Sequence, residues 1–184
     1  MIDCLYEPFK HWSAQGTVWL YSDPHFNDPE MKKYDRISDE EQLKRINEKV
    51  GRKDTLICLG DIGDIEWMRK VRGYKVLIMG NHDKGKSNYM DVFDEVYEGA
   101  LFVAPKILLS HEPIHGVEWC INIHGHEHDA RPVNATHFNV CSNVIDYSPI
   151  SFNQWVKSGS LSKVEGIHRP TIDRATERKK KRRK

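Results

Sequence analysis

The sequence predicts an α/β domain with a mixed sheet. Three observations carry this. Short apolar runs recur along the chain and end in polar clusters. Helix-like stretches with their own caps lie between several of them. The segment "LFVAPKILLS" (101–110) reads as a hairpin, which adds antiparallel pairing to an otherwise parallel pattern.

The runs, in order, are "TVWLYS" (17–22), "TLICL" (55–59), "KVLIM" (75–79), "KILLS" (106–110), "CINI" (120–123) and "THFNVC" (136–141). They are short and rich in β-branched and aromatic residues, as buried strands are. Helices are expected at 38–50, 64–71 and 150–159. In the first, Ser38 and Glu41 form a capping box, Leu43, Ile46 and Val50 make an apolar stripe, and Gly51 ends it. The second starts acidic and ends basic. The third has Ser151 as its cap and Gly159 as its stop.

The chain has 184 residues, 39% hydrophobic and 30% charged, which suits one soluble domain with a core. No apolar run reaches the roughly 18–20 residues of a membrane span, and the first residues, "MIDCLYEPFKHW", lack an apolar signal core. A cytoplasmic protein with no membrane partner is expected. Cys4, Cys58, Cys120 and Cys141 show no CxxC spacing and read as free thiols of a reducing compartment. Residues 178–184 are all basic, so removing that +7 from the net +1 leaves −6 for the rest. Residues 1–160 are expected to form the domain and 161–184 a C-terminal extension whose disordered basic tail is a possible nucleic-acid contact.

Five of the runs end in Asp, His or Asn: "DPH" after the first, then "GD", "GNHD", "HEP" and "HGHEH". Open α/β sheets gather ligand sites beyond the carboxyl ends of their strands. Singly, Asp, Asn and Gly are ordinary turn residues, but turns do not call for histidine. Asp23, His25, Asp61, Asn81, His111, His126 and His128 are therefore candidate metal ligands. Carboxylate, amide and imidazole together suit Mn, Fe, Co, Ni or Zn. Seven ligands exceed one four-coordinate ion and suit two ions sharing a carboxylate, the usual device for displacement at phosphorus.

The blocks "DPH" (23–25), "GD" (60–61), "GNHD" (80–83), His111 and "GHEH" (125–128) occur in the order of the calcineurin-like metallophosphoesterases, and the chain resembles that family from about residue 17 to 158. It is most similar to the small bacterial and phage phosphoesterases, which share a segment like Asn139, Val140 and Pro149 to Ser151. The resemblance implies a metallophosphoesterase-like α/β/β/α sandwich with mixed sheets and two divalent ions, manganese first among them. It implies that Asp23, His25 and His128 hold the first ion, that Asn81, His111 and His126 hold the second, and that Asp61 bridges both. His82 would donate a proton or hydrogen bond to the leaving-group oxygen. Asp64, placed as in a GDxxD motif, would orient His82, with Asp83 as its rival. His124, ahead of Gly125, would be a buried hydrogen-bonded histidine. His115 is a further candidate for the pocket wall, while His11, His137 and His168 have no motif around them.

The chain departs from that pattern in two places. "DPHFND" stands where many small relatives read "DTHFGH", so Asn27 and Asp28 replace a Gly-His pair. Ile65 stands where protein Ser/Thr phosphatases carry an arginine. The implied activity is hydrolysis of phosphate esters by metal-activated hydroxide, with a phosphodiester preferred and a small phosphoester, a nucleotide or a nucleic-acid-like molecule as substrate. The alternative is a non-catalytic scaffold of the same fold that binds nucleic acid or a protein.

Overall fold

The computed structural model describes residues 2–31, 33, 36–117, 119–129 and 135–163. The basic run 178–184 and His168 lie outside the described residues.

The expected runs become strands β1 (Val18–Tyr21), β2 (Thr55–Cys58) and β3 (Tyr74–Ile78) in one sheet, completed by β4 (Glu95–Tyr97) and, further along the chain, Ile150–Ser151. The second sheet holds β5 (Leu101–Ala104), β6 (Ile107–Leu109), β7 (Ile121–His124) and β8 (His137–Asn139); Ile150–Ser151 is β9. The sheet orders are β4-β3-β2-β1-β9 and β5-β6-β7-β8. Only β9 against β1 and β5 against β6 run antiparallel, so both sheets are mixed.

Strand alternation explains the layering. Val18, Leu20, Ile57, Val76 and Ile78 join Val103, Ile107, Leu109, Ile121 and Ile123 in one core shared by the two sheets. The intervening Tyr21, Leu56, Cys58 and Leu77 face outward, against Ile46 of helix α1 (Asp39–Lys49), its C-cap Val50, and Met68, Tyr89 and Phe93. Both faces of the first sheet are thus covered, which is why its strands read as continuous apolar runs rather than alternating ones. The outer face of the second sheet carries buried Asn122, whose Oδ1 accepts the Ile114 N–H at 2.7 Å.

Two helices are shorter than their patterns suggest. The expected helix at 64–71 is a 3-10 helix, Ile65–Lys70, capped by Asp64 accepting the Glu66 N–H. Six residues between the caps Asp64 and Val71 give little room for the cooperative α form. The expected helix at 150–159 gives its first two residues to β9, leaving α2 as Phe152–Lys157 with Ser151 accepting the Gln154 N–H. β4 and the 3-10 helix Glu7–Ser13 have no counterpart in the sequence reading. No helix among the described residues is long and apolar enough to cross a membrane.

Candidate metal centre

The loops leaving β1, β2, β3, β6 and β7 carry all seven candidate ligands to one rim. The backbone there is strained. Asp23, His25, Asp61 and His126 have φ of 54°, 44°, 53° and 64°, a region that side-chain-bearing residues enter at a cost of roughly 1–3 kcal/mol each. Hydrogen bonds hold them in place. Asp23 N–H donates to Gly60 O at 3.0 Å and His25 N–H to Asp61 O at 3.1 Å. Buried Gln42 of α1 donates to Pro24 O at 2.8 Å and accepts from the Tyr21 hydroxyl at 2.8 Å, tying the helix to the first loop.

The side chains form two pockets with one shared atom. In the first, His25 Nε2 lies 3.9 Å from Asp23 Oδ1 and 3.7 Å from Asp61 Oδ2, and His128 Nε2 lies 3.7 Å from Asp23 Oδ1. In the second, His111 Nε2 lies 3.3 Å from the same Asp61 Oδ2 and 2.8 Å from Asn81 Oδ1. His126 Nδ1 completes it, 3.1 Å from Asn81 Oδ1 and 3.2 Å from His111 Nε2. Asp61 is the only residue common to both.

These residues fit divalent ions on three grounds. Asp23 Oδ1 and His25 Nε2 are buried without any hydrogen-bond partner, a costly state for polar atoms unless something else takes their lone pairs. The donors are carboxylate, imidazole and amide oxygen, a set suited to first-row metals. The backbone also leaves no spare volume. A Cβ on Gly80 would stand 2.2 Å from Asp61 Oδ1, and one on Gly125 would stand 2.2 Å from Asp23 Oδ2.

The electrostatics follow from this crowding. Burial opposes the charge of Asp61, yet hydrogen bonding and charge from His111, with the His82 N–H and His25, hold its carboxyl below the usual range. Burial also opposes protonation of His111, but Asp61 and Asp23 push it up to about 9. His124, at the end of β7, is pulled down chiefly by burial. Its Nδ1 faces Gly125 O at 2.8 Å, and it joins none of the ligand clusters.

His82 is exposed on the rim, with its ring 5.6 Å from that of His25 and its N–H donating to Asp61 Oδ1 at 2.9 Å. The two carboxylates expected to orient it are engaged elsewhere. Asp64 Oδ1 accepts the Glu66 N–H at 3.0 Å and its Oδ2 accepts Asn27 Nδ2 at 2.6 Å. Asp83 accepts four donors: the N–H groups of Gly80, Asp61 and Ile62, and the Tyr89 hydroxyl. His115 is exposed against the His137 ring, 5.6 Å away. A cavity of about 290 Å³ beside Asn81 and His111 is bordered by Gly80, Gly99, Ser110 and Ile114, not by His115.

Sequence reasoning missed Asp28. Its Oδ2 lies 3.3 Å from His25 Nδ1, on the side of the ring away from the pocket. Burial works against its charge, but the N–H groups of Glu30 and Met31 and the His25 ring hold its carboxyl low. The signal is the i,i+3 spacing of His25 and Asp28.

Comparison with known proteins bears directly on this centre. A family model described as calcineurin-like phosphoesterase matches residues 16–146, a span that includes every ligand from Asp23 to His128. The chain belongs to the calcineurin-like phosphoesterase family. A crystal structure of a protein of unknown function from Aquifex aeolicus is 28% identical, covers 77% of this chain and 98% of its own, and superposes with a TM-score of 0.66. A crystal structure of Pseudomonas putida nuclease MPE is 25% identical over 60% of this chain and 61% of its own, with a TM-score of 0.45. No curated protein matches the chain. As a calcineurin-like phosphoesterase, the chain has a mixed α/β fold with two mixed sheets, and its family points to metal-dependent hydrolysis of phosphoesters.

Proposed function

We propose that this calcineurin-like phosphoesterase is a dinuclear phosphodiesterase acting on a nucleotide or nucleic-acid-like substrate. The observation that carries the dinuclear reading is Asp61 Oδ2, shared by two ligand pockets, one of which holds the orphaned Asp23 Oδ1 and His25 Nε2. Asp23, His25, His128 and Asp61 would hold the first ion, and Asp61, Asn81, His111 and His126 the second. Bound there, two divalent ions would polarise phosphoryl oxygens and lower the pKa of a water. Manganese is the first choice, with Fe, Zn, Ni or Co able to use the same donors.

The protein's own contribution is orientation and proton handling. Asp61 Oδ1 accepts the His82 N–H while its Oδ2 faces both pockets, so one carboxylate would serve both ions and also places the His82 backbone. From the exposed rim, His82 donates a proton or hydrogen bond to the departing oxygen. The diester preference rests on arginine placement. A dianionic monoester calls for a bidentate clamp, but Ile65 follows Asp64, Arg69 pairs with Glu66 and Asp91, and Arg45 pairs with Glu41 and Asp146.

The test compares bis-p-nitrophenyl phosphate with p-nitrophenyl phosphate in Mn²⁺. Diester turnover that vanishes with EDTA and in Asp61→Asn is the expected result, and turnover of the monoester alone reverses the preference. Deleting residues 174–184 should reduce nucleic-acid cleavage if the basic tail contacts that substrate. The scaffold reading has the full ligand set against it, and purified protein that takes up no metal after supplementation would revive it.

A further inference from the structure

A histidine that ligates a metal is aimed by whatever holds its second ring nitrogen. His25 has Asp28 behind it, at 3.3 Å. His111 has the Leu59 carbonyl behind it, 2.7 Å from Nδ1. Among the described residues, His128 has neither a carboxylate nor a carbonyl in that place. Its Nδ1 meets the sulfur of Cys141 at 3.4 Å, while its Nε2 faces Asp23 Oδ1 at 3.7 Å.

Cys141 is fully buried, and its S–H donates to Asn143 Oδ1 at 3.1 Å. With that hydrogen committed, the ring nitrogen meets sulfur lone pairs. The Nδ1–H of His128 is therefore the donor, and Nε2 keeps its lone pair for the pocket. The surrounding chain locks the arrangement. Asn143 Nδ2 donates to His128 O at 2.8 Å, Cys141 N–H donates to Asn139 Oδ1 at 2.9 Å, and Asn139 Nδ2 donates to Glu127 O at 2.6 Å. Three alternate residues, Asn139 at the end of β8 and Cys141 and Asn143 beyond it, thus grip the loop that carries His128. The ring is aimed at Asp23 Oδ1, a buried atom with no hydrogen-bond partner.

We propose that Cys141 is the positioning residue of the first metal pocket, its thiol sulfur accepting the His128 Nδ1–H and so fixing Nε2 as the coordinating nitrogen. This rests on the two-metal reading above. The sulfur, an Asp23 carboxylate oxygen and a His128 ring nitrogen also lie within 4.8 Å of one another, close enough for the sulfur itself to be a ligand. The orientation of the ring opposes that: the nitrogen facing Asp23 is Nε2, and the sulfur stands at the other nitrogen. Thiol sulfur is a weak acceptor, so His128 is held less firmly than His25, and the first pocket is the one that should respond to changes at position 141.

The experiment loads the full chain, Cys141→Ala and Cys141→Ser with Zn²⁺ and measures the affinity of each ion by chelator competition. X-ray absorption at the zinc edge of the wild type accompanies it. Cys141→Ala should weaken one of the two ions by about 10- to 100-fold and spare the other. Cys141→Ser, whose hydroxyl can accept the same N–H, should recover most of that loss. The absorption spectrum should show nitrogen and oxygen neighbours only. Equal affinities in all three proteins overturn the proposal. So does equal weakening of both ions without recovery in the serine variant, which marks a merely structural role. Sulfur at about 2.3 Å from zinc overturns it too, by making Cys141 a ligand. A wild type that binds no ion overturns the two-metal reading and the inference with it, a result distinct from equal affinities.

Discussion

Asp83 Oδ2 accepts the backbone N–H of Asp61 at 3.0 Å. The acid beside His82 is therefore the support of the shared carboxylate rather than a partner of the histidine. The same oxygen takes the Gly80 N–H at 2.8 Å, and Oδ1 takes the Ile62 N–H at 3.1 Å, so one side chain ties the loop after β3 to the loop after β2. These bonds help to hold Asp61 at its positive φ.

Asp83→Ala should consequently damage both fold and metal binding. It strands three backbone donors in a partly buried place, at a cost of roughly 2–4 kcal/mol once partial access to water is allowed for. Chemical denaturation should show that loss, and uptake of both ions should weaken, because Asp61 serves both pockets. A variant of wild-type stability and full metal content would contradict this role.

Gly125 supplies a sharper probe of how the two pockets are joined. A Cβ there would stand 1.9 Å from Ser22 Oγ and 2.2 Å from Asp23 Oδ2. Asp23 Oδ2 also receives the His126 N–H at 2.9 Å, so Gly125→Ala must push Asp23 off its anchor. The expected outcome is loss of the first ion and weaker retention of the second, whose candidate ligand His126 loses its backbone anchor, read as metal content per chain after dialysis. Retention of both ions would show that the loop relaxes around the methyl group.

The cluster of candidate ligands was legible in the sequence because strand ends and turn residues are local features, and local features leave local patterns. Asp23, His25, Asp61, Asn81, His111, His126 and His128 each follow an apolar run, and the fold needs only to bring the runs together in parallel. Their supporting partners were not legible in the same way. Cys141 reads as an ordinary buried thiol, and nothing in its neighbourhood says that it meets a ring 13 residues away. Asp64 reads as a catalytic orienter by its spacing from Asp61, yet the 3-10 turn that follows claims its oxygens first. β4 escaped notice because three residues, "EVY", carry no period of their own. It exists through the Asp94 N–H to Lys75 O bond and the pairing that follows.

β4 also contains the most heavily bonded carboxylate outside the metal centre among the described residues. Glu95 accepts Trp12 Nε1 at 2.8 Å and the Tyr74 hydroxyl at 3.0 Å, and it also meets His11 and the Tyr97 hydroxyl. Burial opposes its charge, but those four donors, Tyr97 first, hold its carboxyl below the ordinary 4.5. A depressed carboxyl stabilises the fold above its unfolded pKa, and that stabilisation fades as pH falls through the folded value. The matching effect lies at the other end of the scale. Burial and the Glu95 hydrogen bond push Tyr74 up to about 12, so its contribution persists below pH 10 and is lost as pH rises through that value. Glu95→Gln should cost about 1–3 kcal/mol at neutral pH, flatten the acid limb of stability and move the Tyr74 titration back toward 10. An acid limb as steep as that of the wild type would exclude Glu95 as its source.

Asp64 tests how His82 is governed. Its oxygens are taken by the Glu66 N–H and by Asn27 Nδ2, and the His82 backbone is held by Asp61. Asp64→Ala should therefore remove a helix cap, at a cost of about 1 kcal/mol, and loosen Asn27 beside the first pocket. It should leave the pH dependence of diester turnover in place, because no charge next to His82 is lost. His82→Ala should instead lower kcat by about 10²-fold or more while both ions stay bound, as expected for loss of a proton donor to the leaving group. The two pH–rate profiles decide the matter. If Asp64→Ala lowers the alkaline limb by about one pH unit, the carboxylate turns to His82 during the reaction and raises its pKa, as the Asp61-to-Asp64 spacing suggests. If the limb does not move, His82 acts without a carboxylate partner.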